Sequence, residues 1–347
     1  MEIKKNELYV GFSNDDSIRN EASSGGIVTA LLTYLLRNRI VDGVIVSRIE
    51  SENGVIKAVS KIISDFEEIK HYAGSSYVDT PVLSTVKNII AFKGKVAIVA
   101  LPCQMKSYHE ILSKNDKLKS KIILTISLFC RGNVTSKFYD DYFKKTHINT
   151  DNIERIKIKR GYIKGQVEIK RYNKEVEKVN FSDMNFYRIS GVHSKRLCLS
   201  CTEHLGVNAD ISVGDIFTSQ FKNHPIKHSA IIPRSGIALE ILTNMINDAE
   251  ITLKYFGADN YNKYFKKNIH FDSNLTSRKY AAKILGINLG NTAWKPDTLN
   301  LFHVCAWLIY FANYRLSKNK NGNKFIYSLP KIYFRIAAYL IKFLSKL

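Results

Sequence analysis

Two stretches decide the fold: Val96-Ala97-Ile98-Val99-Ala100-Leu101-Pro102-Cys103-Gln104 and Ile122-Ile123-Leu124-Thr125-Ile126-Ser127-Leu128-Phe129-Cys130. Each is a short, nearly all-apolar run that ends near a cysteine, with helical spacing around it at residues 82–92 and 104–112. A strand that is apolar on both sides must be covered on both sides, which predicts buried strands of a largely parallel sheet. Working outward, Ile27, Leu31 and Leu35 with Val28, Leu32 and Leu36 mark a helix over 25–37, and the β-branched run 41–47 reads as another buried strand. The expected fold is therefore α/β: a mixed, largely parallel sheet core with helices on both faces.

After residue 151 the pattern changes to alternation. Ile156-Lys157-Ile158-Lys159-Arg160, Val167-Glu168-Ile169-Lys170 and Val176-Glu177-Lys178-Val179 are separated by Gly161, Gly165 and Asn173. This predicts an antiparallel meander insertion over 151–180 with one wet, basic face. Residues 211–255 then read as a strand, a turn at Gly214-Asp215, a strand at Ala230-Ile231-Ile232 and a helix over 236–246, returning to the main body. Residues 296–347 carry eight Lys or Arg against one acid, Asp297, and read as a basic helical C-terminal tail. The expected organisation is one compact unit over 1–295 with an appendage over 296–347.

The 347 residues are 45% hydrophobic and 24% charged, which excludes disordered and mini-protein classes. A formal charge of +21 suits an acidic partner: nucleic acid, an anionic membrane or a phosphorylated cofactor. Among the basic residues of 155–172 only Tyr162 and Tyr172 are interleaved and no recognition motif matches, so a solvated strand face is expected and no nucleic-acid partner. The polar start Met1-Glu2-Ile3-Lys4-Lys5-Asn6 lacks the apolar core of a secretion signal. A cytoplasmic protein is expected, with its five cysteines reduced or acting as ligands. The apolar run 299–314 is short and contains Asn300, His303 and Asn313, so no membrane span is expected. In 328–347, Lys331, Arg335, Lys342 and Lys346 fall on one side of a helix whose remaining surface is mostly apolar. That pattern suits either a peripheral contact with an anionic membrane or a terminal helix docked on the body.

Cys103 and Cys130 each lie just past a predicted strand, which places both on one rim of a parallel sheet, and Cys198-Leu199-Ser200-Cys201 adds a C-x-x-C pair. Four thiolates so gathered could bind an iron–sulfur cluster or a zinc ion, and the same residues could be small buried hydrophobes; spacing leaves these open. Cys305, among Phe302, Val304, Trp307 and Leu308, reads as core filler. Ser24-Gly25-Gly26 opens a helix, either as an ordinary Ser N-cap or as a receiver of a phosphate or a polar ring edge. No dinucleotide fingerprint or P-loop is present. Arg131 is either solvated or a counter-charge for thiolates or an acidic substrate. His71, His193 and His204 show no ligand spacing, and core or surface roles are expected.

These segments, with Gly74-Ser75-Ser76-Tyr77, Leu128-Phe129-Cys130-Arg131-Gly132 and Ala209-Asp210-Ile211-Ser212-Val213-Gly214-Asp215, resemble in order and spacing the beta subunit of coenzyme F420 hydrogenase and dehydrogenase over residues 8–260. The resemblance implies a flavin-dependent iron–sulfur oxidoreductase. Cys103, Cys130, Cys198 and Cys201 would hold a 4Fe-4S cluster. Ser24, Gly25, Gly26, Gly74, Ser75, Ser76, Tyr77, Gly214 and Asp215 would bind FAD, and no catalytic residue is singled out. Only about twenty residues precede the Ser-Gly-Gly segment, where many members carry a ferredoxin-like module, which implies an external ferredoxin-like electron carrier besides a small-molecule substrate. Ser76 stands where the family's Gly-Ser-Lys-Tyr has lysine. Short members are associated with surface polysaccharide biosynthesis, so a non-catalytic accessory or binding module of such an assembly is the rival expectation.

Overall fold

The computed structural model describes residues 2–347 except 53, 161–164, 217, 223, 258, 259, 261–271 and 291–295. The expected turn residue Gly161, Tyr162 and the expected boundary at residue 295 lie outside the described residues. Eleven described strands form one sheet: β1 (Tyr9–Ser13), β2 (Gly43–Glu52), β3 (Val55–Ile63), β4 (Val96–Ala100), β5 (Ile122–Leu128), β6 (Ile153–Arg160), β7 (Gln166–Arg171), β8 (Val176–Asn180), β9 (Ile211–Asp215), β10 (Ser229–Pro233) and β11 (Ile251–Tyr255). Their order is β11-β1-β10-β9-β5-β4-β2-β6-β7-β8, with β3 paired to β2 off that path. Parallel pairing joins β2, β4, β5 and β9, and both flanks are antiparallel.

The all-apolar strands are covered on both faces. Ala97 of β4, with Leu124 and Ile126 of β5, packs against the helices Ile27–Arg37 and Gly236–Asn247. Val96 and Ile98 face Met105 and Tyr108 of the helix Pro102–Leu112 and Ile89 of Val86–Ala91. β2 runs past the expected 41–47 strand and folds back as a hairpin with β3, whose weak alternation hid it.

The meander forms at the expected segments and continues the main sheet through Ile49 of β2 opposite Ile156 of β6. Ile156, Ile158, Val167 and Ile169 bury one face against Phe138, Tyr142, Phe143 and Tyr187. Its other face is only partly wet. Lys157 is 3% exposed and pairs with Glu21, and its cross-strand neighbour Glu168 is also buried; Arg171, on the face of Val167 and Ile169, is buried too and pairs with Glu177 of β8 at 2.9 Å. Helix Asp16–Glu21 delivers the carboxylate that makes a buried lysine tolerable.

The basic tail is three helices, Leu301–Leu316, Lys320–Ser328 and Lys331–Leu344. Val304, Trp307 and Phe311 share a core with Leu199 and Ala281, and Ile326 and Phe334 enter the core of the meander. Cys305 is exposed, not core filler, because His303, Val304, Ala306 and Trp307 carry the buried side of its helix. No helix among the described residues is long and apolar enough to cross a membrane.

Thr125 and Asp210 fix the β5–β9 register. The Asp210 carboxylate accepts from the Thr125 backbone N–H at 2.8 Å and its hydroxyl at 2.6 Å, and the Asp210 N–H donates back to that hydroxyl at 3.0 Å. Asp210→Ala should lower the unfolding free energy by about 2 kcal/mol, read from the urea midpoint, as expected for losing bonds to a charged acceptor.

Candidate functional site

The parallel strands β4 and β5 end side by side, and each hands the chain to a cysteine. Cys103 is the second residue of the helix Pro102–Leu112, and Cys130 follows β5 by two residues. The backbone of Phe129 donates to Val213 O at 2.8 Å, and that of Cys130 to His204 O at 3.0 Å. Cys198 lies in the 3-10 helix Arg196–Ser200, capped by Cys201. The four expected thiols come together closely enough that charge on Cys103 or Cys201 acts on Cys130, and charge on Cys103, Cys130 or Cys201 acts on Cys198. Desolvation is the larger effect: burial, with those mutual charges as a lesser cause, pushes the Cys130 thiol up to about 11 and Cys198 up to about 12. Among the described residues no three His, Cys, Asp or Glu side chains converge as a group that could hold a metal ion.

A guanidinium sits beside the Cys198–Cys201 loop. The deeply buried Arg278 donates to Cys201 O at 2.8 Å and to Leu199 O at 3.4 Å, and lies over the Trp307 ring at 4.2 Å. The His204 Nδ1 meets Cys130 O at 2.9 Å. Sequence reasoning missed Arg278, far down the chain in the helix Leu275–Ile284, and its signal, an arginine in an otherwise helical stretch, is no different from a surface residue's. Arg131 is exposed, as a solvated loop arginine would be, and its Nε donates to Asp272 at 2.7 Å. His193 is buried and bonds Asp141 at 2.7 Å, a structural role as expected.

The expected flavin segments also meet. Gly26, at φ +82, begins the helix Ile27–Arg37, and no described side chain caps it. Ser24 is not the N-cap; its hydroxyl donates to His228 O at 2.8 Å. Gly25 donates to Ser229 Oγ at 3.0 Å, and a Cβ on Gly25 would fall 2.5 Å from Gly11 O, so only glycine permits this approach. Ser229 is in turn the β10 partner of Asp215. The Ser75 hydroxyl donates to Ser23 Oγ at 3.1 Å, which ties the second segment to the first. Tyr77 lies under the Arg188 guanidinium at 4.4 Å and feels the charge of Cys130, so this segment spans from Ser23 to the thiols.

Gly214-Asp215 is not the expected turn. Both are in β9, and a Cβ on Gly214 would fall 2.5 Å from Phe129 Cβ. Glycine serves here to admit the Phe129 ring beside the Cys130 turn, a close approach that reads in sequence like a Gly-Asp turn.

A mixed sheet whose central parallel strands hand the chain to neighbouring thiols defines an α/β protein with a candidate site at that sheet rim. The chain belongs to the coenzyme F420 hydrogenase/dehydrogenase beta subunit family: the model of the family's N-terminal part matches residues 8–87 and that of its C-terminal part matches residues 93–258. It is 30% identical over 243 residues to the coenzyme F420-dependent sulfite reductase of Methanocaldococcus jannaschii, covering 64% of this chain and 34% of that protein. To the coenzyme F420 hydrogenase subunit beta of Methanosarcina barkeri it is 26% identical, covering 80% of this chain and 92% of the subunit. Of two relatives that are 30% identical, the chain spans 54% of the length of one and 34% of the other. A chain of the F420-reducing [NiFe] hydrogenase complex from Methanosarcina barkeri shares the fold, with a TM-score of 0.62 at 22% identity over 83% of this chain and 96% of that one.

In metal-free protein at neutral pH, Cys130 and Cys198 should resist alkylation by iodoacetamide while exposed Cys305 reacts. Raising the pH should speed labelling of Cys130 and Cys198 about tenfold per unit, because their thiolate fraction grows toward the raised pKa. Peptide mass spectrometry after timed labelling reads both effects.

Proposed function

We propose that the protein is a flavin- and iron–sulfur-dependent oxidoreductase that passes electrons between an external ferredoxin-like carrier and a small organic substrate. The observation that carries this reading is the hub at Ser23 and Ser229, through which three separate flavin-candidate segments meet beside the four mutually coupled thiols. Thiolates are the donor type an iron–sulfur cluster takes, and backbone N–H groups and hydroxyls the type a flavin takes. Cys103, Cys130, Cys198 and Cys201 would hold the 4Fe-4S cluster, and the uncapped helix start at Gly26 with Ser24, Gly25, Gly74, Ser75, Ser76, Tyr77, Gly214 and Asp215 would hold FAD. When bound, a cluster carries one electron and a flavin two, so together they divide two-electron chemistry into single steps.

This chain's own residues have definable tasks in that scheme. Arg278 fixes the Cys198–Cys201 loop through two carbonyls and sets a positive charge behind it, which favours thiolate over thiol. Gly214 lets Phe129 pack and so sets where Cys130 leaves the sheet. The bond from the Gly25 N–H to Ser229 ties the helix start to β10. The organic substrate is unidentified, and the family resemblance suggests surface polysaccharide biosynthesis as its setting. The replacement of the family's lysine by Ser76 favours the second reading, an accessory module that has kept the fold without the chemistry.

The test is purification without air. The oxidoreductase reading expects a brown protein with about four iron and four sulfide per chain and dithionite-reducible FAD. One zinc and no sulfide, or no flavin, would leave the accessory module.

The tail extends the proposal to location. Phe334, Ala337 and Ala338 dock the helix Lys331–Leu344 on the body, and Phe334 stacks on Tyr187 at 3.8 Å. Its outer side exposes Ile332, Ile336, Tyr339, Leu340 and Phe343, with Arg335 and Lys342 exposed among them. Docked helix and lipid-facing helix are thus compatible readings of one segment, and the cations match an anionic lipid surface. Sedimentation with phosphatidylglycerol vesicles should be lost in Ile336→Glu/Phe343→Glu with the unfolding midpoint unchanged; full-strength binding by the double variant refutes the contact.

A further inference from the structure

The sheet splits beside β2. On one edge β2 pairs with β4 over Gly43, Val44 and Ile45, and then with β6 only at Ile49. The segment 71–76 enters where these partners diverge, with Ser75 bridged to Ile158. The opening is a cleft whose described lining includes Arg48, Arg155, Lys157 and His71, with hydroxyls from Ser47, Ser75 and Ser76 and no carboxylate.

The cations are held, not loose. Arg48 bonds Glu50 at 2.7 Å and lies over the Tyr72 ring at 4.7 Å. Arg155 donates to His71 O at 3.4 Å, and buried Lys157 pairs with Glu21 from behind the cleft. Glu50 and Glu21 therefore brace the cations, and neither is part of the described lining. Burial first, and then the charges of Arg155, Lys70 and Arg48, hold the His71 imidazole below its ordinary range, so the positive field there is felt by a neighbouring group. Gly74, at φ +126, passes directly over the Lys157 stem: a Cβ there would meet Lys157 Cγ at 3.5 Å. A cation from β6 thus sits under the segment in which Ser76 replaces lysine.

We propose that this cleft is an oxyanion site that holds the phosphate or carboxylate group of the organic substrate. The two guanidinium groups and the Ser76 hydroxyl offer donors matched to such an ion, with the Lys157 charge behind them, while the Ser47 and Ser75 hydroxyls are bonded to Ser60 and Ser23. Ser75 belongs both to the cleft lining and to the Ser23 hub, so an anion held here anchors a molecule whose other end reaches the flavin segments. That last placement rests on the oxidoreductase reading; the anion site itself does not.

The test is isothermal titration of the full-length protein, separately with inorganic pyrophosphate and with succinate, which distinguishes phosphate from carboxylate. At least one probe should bind with strong salt dependence, and Arg155→Gln should weaken it about tenfold, with partial recovery in Arg155→Lys. Arg48→Gln, checked for an unchanged circular dichroism spectrum, should weaken it in the same direction. Binding by neither probe, or affinity unchanged in both glutamine variants, overturns the site. Loss of bound flavin in step with anion affinity also overturns it, by giving the cleft to the flavin. Arginine-dependent binding in a protein without flavin or cluster keeps the oxyanion site and refutes the oxidoreductase reading.

Discussion

The site depends on the clasp between Thr125 and Asp210. Two bonds into the Asp210 carboxylate and one back from its N–H lock β9 to β5 at the start of their pairing, before Ile126 meets Ile211. Because side chains alternate along a strand, a slip of one residue would turn Gly214 away from Phe129 and move the Cys130 turn off its bond to His204. One carboxylate therefore aligns two features that lie on different segments: the thiol rim and the strand end beside Ser229. A third partner, Arg234, donates its backbone N–H to Asp210 O at 2.7 Å, which extends the clasp to β10.

From that centre the sheet grows by two different rules, and they explain what could be read from the sequence. The parallel strands carry their fate in composition: Val96–Ala100 and Ile122–Leu128 are apolar on both faces and had to be covered on both. The meander announces itself by period two, and its strands lie where alternation puts them. What alternation could not show is the state of the second face. Lys157 obeys the polar half of the pattern, yet it is buried, because Glu21 comes from elsewhere to meet it. A pattern reports which residues share a face; it does not report whether another element will cover that face.

The site divides along the same line. The nearness of Cys103 and Cys130 was legible because both follow adjacent parallel strands, and the C-x-x-C pair is local. Arg278 was not, since its value lies in reaching the Leu199 and Cys201 carbonyls from 77 or more positions away. Gly214-Asp215 misled for a related reason: glycine is used both to turn a chain and to admit a neighbour, and only the Phe129 ring decides between them. Cys305 misled in the opposite sense, since an apolar neighbourhood in sequence includes residues from every side of a helix.

The tail joins these themes. Its helices bury Trp307 and Phe311 against Leu199, within the Cys198–Cys201 loop, and Phe334 against Tyr187. A segment that reads as an appendage by charge is thus part of what holds one edge of the thiol site. Phe334, Ala337 and Ala338 make the buried docking contacts, small and flat enough for a close helix approach, with Lys331 paired to Asp183 and Tyr339 against Phe186 at the margin, while Arg335, Lys342 and much of the apolar surface stay exposed. The same economy leaves the protein with an exposed face that mixes large apolar groups and positive charge. Burying that face on a neutral, rigid surface would strand Arg335 and Lys342, whereas a surface that is apolar within and anionic at its boundary satisfies both kinds of side chain at once.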